Sequence, residues 1–578
     1  MNLLKNTEPL TIHPVVKKVL ATRGISEAKD LEKFFSWDLK SIPDLTQLID
    51  LETGAQRVYL AIKNNEKIGI YGDYDVDGTT SCALFYHFFQ MIGSKVELFQ
   101  PSRFVEGYGV HPSSIDNALE KEVRLLITVD CGISNIETAD YAKEKGLDLI
   151  ITDHHKDARE KMPDALAVIN PNRRDEVCHE DLKSLAGVGV AFAFCLKLRE
   201  IMLADQQECP SLYPLLQFFS LGTICDLARL TDTNKTLTRH GLKIMKDTPV
   251  EGIKLFLTQE DYAKPFLESE KCSFYIGPHI NSRGRLEHPE FALNMITTSD
   301  PVQARSFYDE VVKSNTQRKI IQKKVYDEAF EQTKKNFDID ESTISIAFNP
   351  SWHEGVIGIV ASRLVETFRV PAIVFTEPEE GILKASARTA GELNLFELLD
   401  SCRDLFIKFG GHKAAAGLSM KKENLPQLRK RLQDALKEIP AILRTKQDSF
   451  DIEVNFQDLD LELVRNLQRM EPFGQGNPYP VFRIKDAYLA EYNILKDSHL
   501  KWVFKPRNQV GHLKKTLNGI SFNYLNSWNT TSPEELLKKQ RDQALIIDAK
   551  LQINYFRNKR YLQLLVEKIY TDFDSLIV

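Results

Sequence analysis

Three short apolar runs in the first third of the chain each end at an acid. KIGIY (67–71) leads into Asp73, VRLLITV (123–129) into Asp130, and LDLIIT (147–152) into Asp153. Bounded runs of this length, rich in Ile, Leu and Val, predict strands buried on both faces, as in a parallel sheet. After the first run, TTSCALFYHFFQMIG predicts a helix of about four turns that stops at Gly93. Strands and helices continue to alternate over 56–300, which predicts a parallel-sheet domain. Residues 1–55 read as an N-terminal helical embellishment. After Pro301, to about Phe337, the chain is densely charged, has apolar residues at helical spacing and lacks Gly and Pro. That stretch, 301–339, predicts one long connecting helix with a solvated face.

A second, smaller α/β domain is expected over 340–447, with STISIAFN and VPAIVFT as strands. Beyond it the pattern turns to short alternating runs: FDIEVNF, PVFRIKDAYLAEYNIL, LKWVFK, ALIIDAKLQINYF and YLQLLVEKIY. These predict an OB-like β-barrel over 448–578, interrupted by the helical stretch SPEELLKKQRD. The expected fold class is therefore multidomain α/β. It comprises a parallel-sheet domain, a long connecting helix, a smaller α/β domain and a C-terminal OB-like barrel.

Composition narrows the function classes. The 578 residues are 43% hydrophobic and 27% charged, with no apolar run long enough to cross a membrane. The start, MNLLKNTEPLTIHP, lacks the apolar core of a signal peptide. The eight cysteines form no CxxC pair, which disfavours zinc fingers and disulfide frameworks and points to a reducing cytoplasm. The net charge of −6 argues against a nucleic-acid binder, but it is unevenly spread. Residues 483–578 hold 16 Lys and Arg against 10 Asp and Glu, a local +6 that leaves the remainder at −12. A basic C-terminal module on an acidic body is compatible with a polyanionic ligand.

The stretch GDYDVDGTTS (72–81) gathers Asp73, Asp75 and Asp77 at alternate positions. An EF-hand calcium loop also begins D-x-D-x-D-G, but its twelfth position must be Glu, and here it is Leu84. A strand rather than a helix precedes the acids, so the EF-hand reading fails. Alone, the motif would be a solvated acidic turn. It is joined by Asp130, Asp153, His154 and His155 at two further strand ends, where open parallel sheets bind ligands. Four or five carboxylates with two imidazoles require compensating cations. Oxygen-rich ligation with some imidazole suits Mn²⁺ or Mg²⁺ better than zinc, and a pair of such ions is expected.

From DYDVDG and TDHH (152–155) the chain resembles the DHH phosphoesterase superfamily. PSRFVEGYGVH (101–111), VDCG (129–132), GTICDLARL (222–230) and IGPHINSRGRL (276–286) extend the match. So do WHEGVIGIVASRL (352–364), KASAR (384–388), FGGHKAAAGLS (409–419) and PFGQGNPYPVF (472–482). Over nearly the whole chain the resemblance is to the bacterial single-strand-specific 5′→3′ DNA exonucleases of that superfamily. It implies a DHH domain over 56–300, an accessory DHHA1 domain over 340–447 marked by the GGH segment, and a trailing OB-like module.

By position, the resemblance implies that Asp75 and Asp130 hold one ion. Asp77, Asp130, His154 and Asp226 would hold the other. Asp73 is a near-shell acid or a direct ligand, and His155 faces the scissile phosphate. Tyr71 stands where relatives often carry a metal-binding histidine, which implies one ligand fewer at the first site. Arg103, Ser386 and Arg388 are implied to hold a terminal 5′-phosphate, while Arg283, Arg285 and His412 line the substrate path. Arginine's bidentate fork suits phosphate. His353 and Glu354 are read either as functional or as interface braces, with the second preferred. The aromatics Tyr488, Tyr492, Trp502, Phe504, Phe522, Tyr524, Trp528, Tyr555, Phe556 and Tyr561 include some that would stack on bases, although most strand aromatics are core. Single-stranded DNA is the implied substrate, with single-strand-binding protein and a RecQ-type helicase as partners and a monomeric state. Two rivals remain: a DHH phosphodiesterase acting on cyclic dinucleotides or short oligonucleotides, and a non-catalytic replication scaffold. The first usually lacks a C-terminal barrel, and the second loses its metal-binding acids.

Overall fold

The computed structural model describes residues 12–571 apart from 102–108, 157–160, 287–288, 338–341, 507–515, 527–530, 541–543 and 557–558. The chain divides into two compact units. One runs from Leu31 to Thr316 and includes Met470–Tyr479; the other holds the chain up to Asp30, Gln317–Arg469 and everything from Pro480 on.

The unit that begins at Leu31 is built on five parallel strands. These are β1 (Ile68–Gly72), β2 (Val96–Phe99), β3 (Leu125–Val129), β4 (Asp148–Thr152) and β5 (Ala167–Ile169), in the order β2-β1-β3-β4-β5. The three apolar runs predicted as strands are β1, β3 and β4, and β1, β3 and β5 are buried at every position. Register sets Gly72 beside Val129 and Val129 beside Thr152, so β1, β3 and β4 end level with one another. The acids that follow are thereby brought to one edge. On one face the core gathers Ile68, Ile70, Phe85, Phe88, Ile127 and Phe194; on the other it gathers Tyr71, Phe99, Leu126 and Ile151.

The helix after β1 is Val76–Met91, and Gly93 follows it in a left-handed conformation. It begins three residues earlier than TTSCALF suggests, because Asp75 caps it by accepting from the Gly78 N–H at 3.0 Å. Asp77 consequently lies in the helix's first turn.

Met470–Tyr479 folds onto this unit through a buried glutamate. The Glu471 carboxylate accepts from the Ser269 amide (3.2 Å), the Ser269 hydroxyl (2.7 Å) and the Phe473 amide (3.0 Å). Burial outweighs those bonds and pushes its pKa up to about 7. Unfolded, the group titrates near 4.5. Between those values the folded chain holds a proton that the unfolded chain releases. Its contribution is therefore full below pH 4.5 and is lost as pH rises through 7. Glu471→Gln should remove this slope. Between pH 5 and 8 wild type should lose on the order of 3 kcal/mol relative to the variant. Denaturant midpoints of both proteins at the two pH values measure it, and parallel curves would show that the carboxyl is ionised throughout.

The second unit carries two sheets. In the first, β6 (Ser345–Phe348), β7 (Ala372–Glu379), β8 (Ile382–Arg388), β9 (Phe406–Gly411) and β10 (Ala415–Lys421) run in the order β6-β7-β8-β10-β9. Only the β6–β7 pair is parallel among them. The second sheet contains β11 (Ile452–Val454), β12 (Phe482–Leu495), β13 (His499–Pro506), β14 (Leu517–Ser521), β15 (Leu545–Phe556) and β16 (Lys559–Tyr570). A β12–β15 pairing closes β12-β13-β14-β16-β15 into a ring. Strand β14 (LNGIS) is absent from the sequence reading, since its centre is Asn-Gly. The long charged stretch is one helix, Pro301–Asn336. Among the described helices, none is long and apolar enough to cross a membrane.

Candidate metal centre

Each strand end delivers its acid by a different local device. Beyond β1, Gly78 lies so close to the preceding loop that a Cβ there would stand 2.4 Å from the Asp73 carbonyl oxygen. Glycine therefore permits the turn that stacks Asp73 and Asp75 over the helix start. Beyond β3, Asp130 has φ 60°, an unusual conformation for a residue other than glycine, which turns its side chain toward the neighbouring strand ends. Beyond β4, the Asp153 carboxylate accepts from the amides of His154 (2.7 Å) and His155 (3.1 Å) and, through its other oxygen, from Ile133 (2.9 Å). Asp226 arrives separately, as the C-cap of the helix Leu216–Cys225.

These side chains converge. His154 Nε2 lies 3.1 Å from Asp130 Oδ1, 3.8 Å from Asp77 Oδ2 and 3.9 Å from Asp226 Oδ2. Three sets of ligand atoms each fall within 4.8 Å of one another: Asp73–Asp75–Asp130, Asp77–His154–Asp226 and Asp130–His154–His155. Asp130 is common to the first and third sets, and His154 to the second and third.

Electrostatics shows what this arrangement lacks. Burial, followed by repulsion from neighbouring aspartates, pushes Asp77 and Asp130 well above the ordinary carboxylate range. Asp226 is raised to about 7 by burial and then by Asp75. Burial, with the adjacent charge on His155, lowers His154 to about 4, so its ring is neutral. Its buried Nε2 makes no hydrogen bond despite the surrounding carboxylates. With those carboxylates ionised, a neutral imidazole lone pair aimed at their oxygens is repulsive unless a cation lies between them. The donor set, carboxylates with one imidazole, fits hard divalent ions such as Mn²⁺ and Mg²⁺.

His155 differs from its neighbour. Burial would lower its pKa, but the 2.8 Å bond from Nδ1 to Asp153 and the charges of Asp153, Asp226 and Asp75 together outweigh this and raise it to about 9. Burial would raise Asp153, but the bond and charge of His155 together with the Ile133 amide hold it below its usual range. It thus acts as the orienting partner of an imidazolium.

Other residues hold roles that the sequence reading missed. Asp77 accepts from the Gly187 amide (2.6 Å) and the Val188 amide (2.9 Å), which open the helix Gly187–Ala204. It therefore caps a helix as well as facing the centre. A Cβ at Gly187 would lie 2.6 Å from the Asp130 Cβ. The repeated glycines of GVGV are the one sequence signal for that close approach.

Of the expected substrate residues, Arg103 lies outside the described residues, as does the side chain of Arg283. Arg285 lies in the helix Gly277–Leu286, which passes the acidic loop at Gly284, where a Cβ would be 3.1 Å from the Tyr74 carbonyl oxygen. In the other unit, Ser386 and Arg388 share one face of β8, with Arg388 Nη1 donating to Ser386 Oγ at 3.0 Å. His412 is exposed just beyond β9, its amide bonded to the Ala415 carbonyl at 2.8 Å. His353 caps the helix Glu354–Phe368 by accepting from the Gly355 amide at 3.1 Å, and Glu354 pairs with Lys384. Tyr71 packs in the core on one face of the sheet, its hydroxyl donating to the Gly109 carbonyl and accepting from Ser114. Among the C-terminal aromatics, Trp502 and Phe504 are core, while Phe522 and Tyr561 are exposed. Trp528 and the side chains of Tyr555 and Phe556 lie outside the described residues.

A parallel sheet whose strand ends collect aspartates and a DHH triplet defines a DHH phosphoesterase. Residues 67–223 match the model of the DHH family N-terminal domain, 341–438 the DHHA1 domain and 450–568 the RecJ OB domain. The single-stranded-DNA-specific exonuclease RecJ of Salmonella typhimurium is 32% identical, over 97% of this chain and 96% of its own. That of Bacillus subtilis is 35% identical over 88% of this chain, which spans 63% of that relative's length. The crystal structure of Thermus thermophilus RecJ in complex with Mn²⁺ superposes with a TM-score of 0.75 at 24% identity, covering 97% of this chain and 78% of that one. The chain belongs to the RecJ family of single-stranded-DNA-specific exonucleases.

Proposed function

We propose that the protein degrades single-stranded DNA from its 5′ end, releasing 5′-mononucleotides, with two divalent ions at the strand-end cluster. The observation that carries this reading is the unbonded Nε2 of neutral His154 among the oxygens of Asp77, Asp130 and Asp226. Asp75 and Asp130, with Asp73 beside them, would hold one ion; Asp77, Asp130, His154 and Asp226 would hold the other. Bound there, the ions would activate a water and offset charge on the phosphodiester. The His155 imidazolium, oriented by the bond from Nδ1 to Asp153, is suited in charge to a phosphate oxygen. The exposed Phe522 and Tyr561 are accessible for stacking on bases. A free strand is supplied by unwinding and covered by single-strand-binding protein. That protein and a RecQ-type helicase are accordingly the proposed partners, acting with a monomer in the cytoplasm, where eight unpaired cysteines are at home.

The test is digestion of long end-labelled single strands in Mn²⁺, beside cyclic dinucleotides and a chelated control. Mononucleotides released from the 5′ end of the long strand alone support the reading. Turnover of cyclic dinucleotides in preference to the strand would replace it.

Polarity rests on Arg388 and Ser386. A Cβ at Gly358 would stand 2.9 Å from both Arg388 Nη2 and Ser386 Oγ, so glycine there leaves space for the pair. We assign them to the terminal 5′-phosphate. Arg388→Ala should lower kcat/KM on a 5′-phosphorylated strand by at least about tenfold more than on a 5′-hydroxyl strand, a differential of roughly 1.4 kcal/mol. Equal losses on the two substrates would place Arg388 in a structural role.

A further inference from the structure

Among the proposed ligands, Asp226 has the weakest local support. Asp73, Asp75, Asp77, Asp130 and His154 follow the ends of sheet strands or open the helix after one. Asp226 instead stands on the turn between the helices Leu216–Cys225 and Asp232–Asp247. Leu227 beside it has φ 58° and is well exposed. Something outside the sheet has to fix this turn.

Met470–Tyr479 does so from one side. Although the chain on both flanks belongs to the other unit, these ten residues belong to the unit that carries the metal centre. The strap is closed on itself: Asn477 Nδ2 donates to the Met470 and Pro472 carbonyls, each at 2.8 Å, and Gly474 and Asn477 exchange backbone bonds. It is anchored at one end through Glu471 on Ser269, and its Glu471 carbonyl accepts from Arg239 Nε at 2.7 Å. Its tip then meets the Asp226 turn. The Leu230 amide donates to the Gln475 carbonyl at 2.7 Å. Gly476 has φ 84°, and a Cβ on it would stand 2.9 Å from Arg229 Cγ. Behind the turn, Asn234 Nδ2 bonds the Arg229 carbonyl at 2.8 Å and the Ser184 carbonyl at 2.7 Å. Arg229 and Leu230 are thus clamped between the helix behind them and the strap in front.

We propose that the 470–479 strap is a positioning element for Asp226, so that affinity for the divalent ion Asp226 helps to hold depends on the strap's docking. This rests on the reading of Asp226 as a ligand. The strap touches neither the ion nor the substrate. It acts by holding the Arg229–Leu230 backbone, and through it the turn that aims the carboxylate.

Full-length Gly476→Ala and Ser269→Ala test this by Mn²⁺ titration, followed by calorimetry and by the electron paramagnetic resonance of free Mn²⁺, with Asp226→Asn as reference. The expected result is that Gly476→Ala weakens one of the two ions about tenfold and Ser269→Ala about threefold, leaving the other ion near its wild-type affinity. Activity lost at low Mn²⁺ should return at high Mn²⁺, which a merely misfolded variant would not show. Should Gly476→Ala fail to fold, Ser269→Ala, which removes only a hydroxyl, decides the question by the same readouts. Unchanged ion affinities in the strap variants, with Asp226→Asn weakened, would overturn the positioning role. An unchanged Asp226→Asn would instead overturn the ligand assignment beneath it.

Discussion

His154→Ala should lower the rate of strand hydrolysis at least about a thousandfold, roughly 4 kcal/mol of transition-state stabilisation, and leave strand affinity within about threefold of wild type. The imidazole is neutral, its Nε2 faces three carboxylates, and it belongs to two of the three ligand sets. Its removal deprives the centre of a proposed ligand without burying a new charge, so the fold should hold. Asp77→Asn is a less clean experiment. Both Asp77 oxygens accept from the amides of Gly187 and Val188, and an asparagine must turn its NH₂ group toward one of those donors. Steady-state kinetics beside fluorescence anisotropy on a labelled 20-mer make the measurement. A His154→Ala enzyme with more than a few per cent of wild-type turnover at saturating Mn²⁺ would remove His154 from the ligand set.

Gly78→Ala should cost about a hundredfold in turnover although it deletes no ligand. The new Cβ would meet Asp73 backbone atoms at 2.4 to 2.7 Å, and backbone cannot rotate aside as a side chain can. The loop must open, carrying Asp73 and Asp75 away from Asp130, at a stability cost of about 1–3 kcal/mol. Gly93→Ala is the control: unlike Gly78 it has positive φ (74°), but no atom lies within 4 Å of its Cβ, so any loss there is confined to stability. Similar turnover in the two variants would show that the Asp73–Asp75 spacing is not what Gly78 protects.

The strand-end acids were legible because their signal is local: an apolar run, an acid and a small residue adjoin in sequence. The parallel order of the sheet then follows from alternation with helices, and level strand ends bring the acids together. Asp226 was legible only through resemblance, since a helix-terminal aspartate has many ordinary explanations. The capping of Gly187 and Val188 by Asp77 could not be read, because it joins positions 110 residues apart through backbone amides that leave no side-chain pattern. Strand β14 was missed because Asn-Gly at its centre reads as a turn, yet its neighbours β13 and β16 supply the ladder. The strap at 470–479 was visible as a motif but not as part of the catalytic unit, because its partners Ser269, Arg239 and Leu230 lie more than two hundred residues earlier. Trp502 and Phe504 show why strand aromatics overstate a stacking surface: alternation marks the face that is buried, and theirs is the core.

The two-ion assignment turns on Asp130, the acid proposed to serve both ions. Calorimetric titration of the metal-free protein with Mn²⁺, compared between wild type and Asp130→Asn, tests it most directly. Two ions should bind wild type, and both should weaken at least tenfold in Asp130→Asn, whereas His154→Ala should weaken one. A single ion in wild type, or two ions of unchanged affinity in Asp130→Asn, would contradict the assignment.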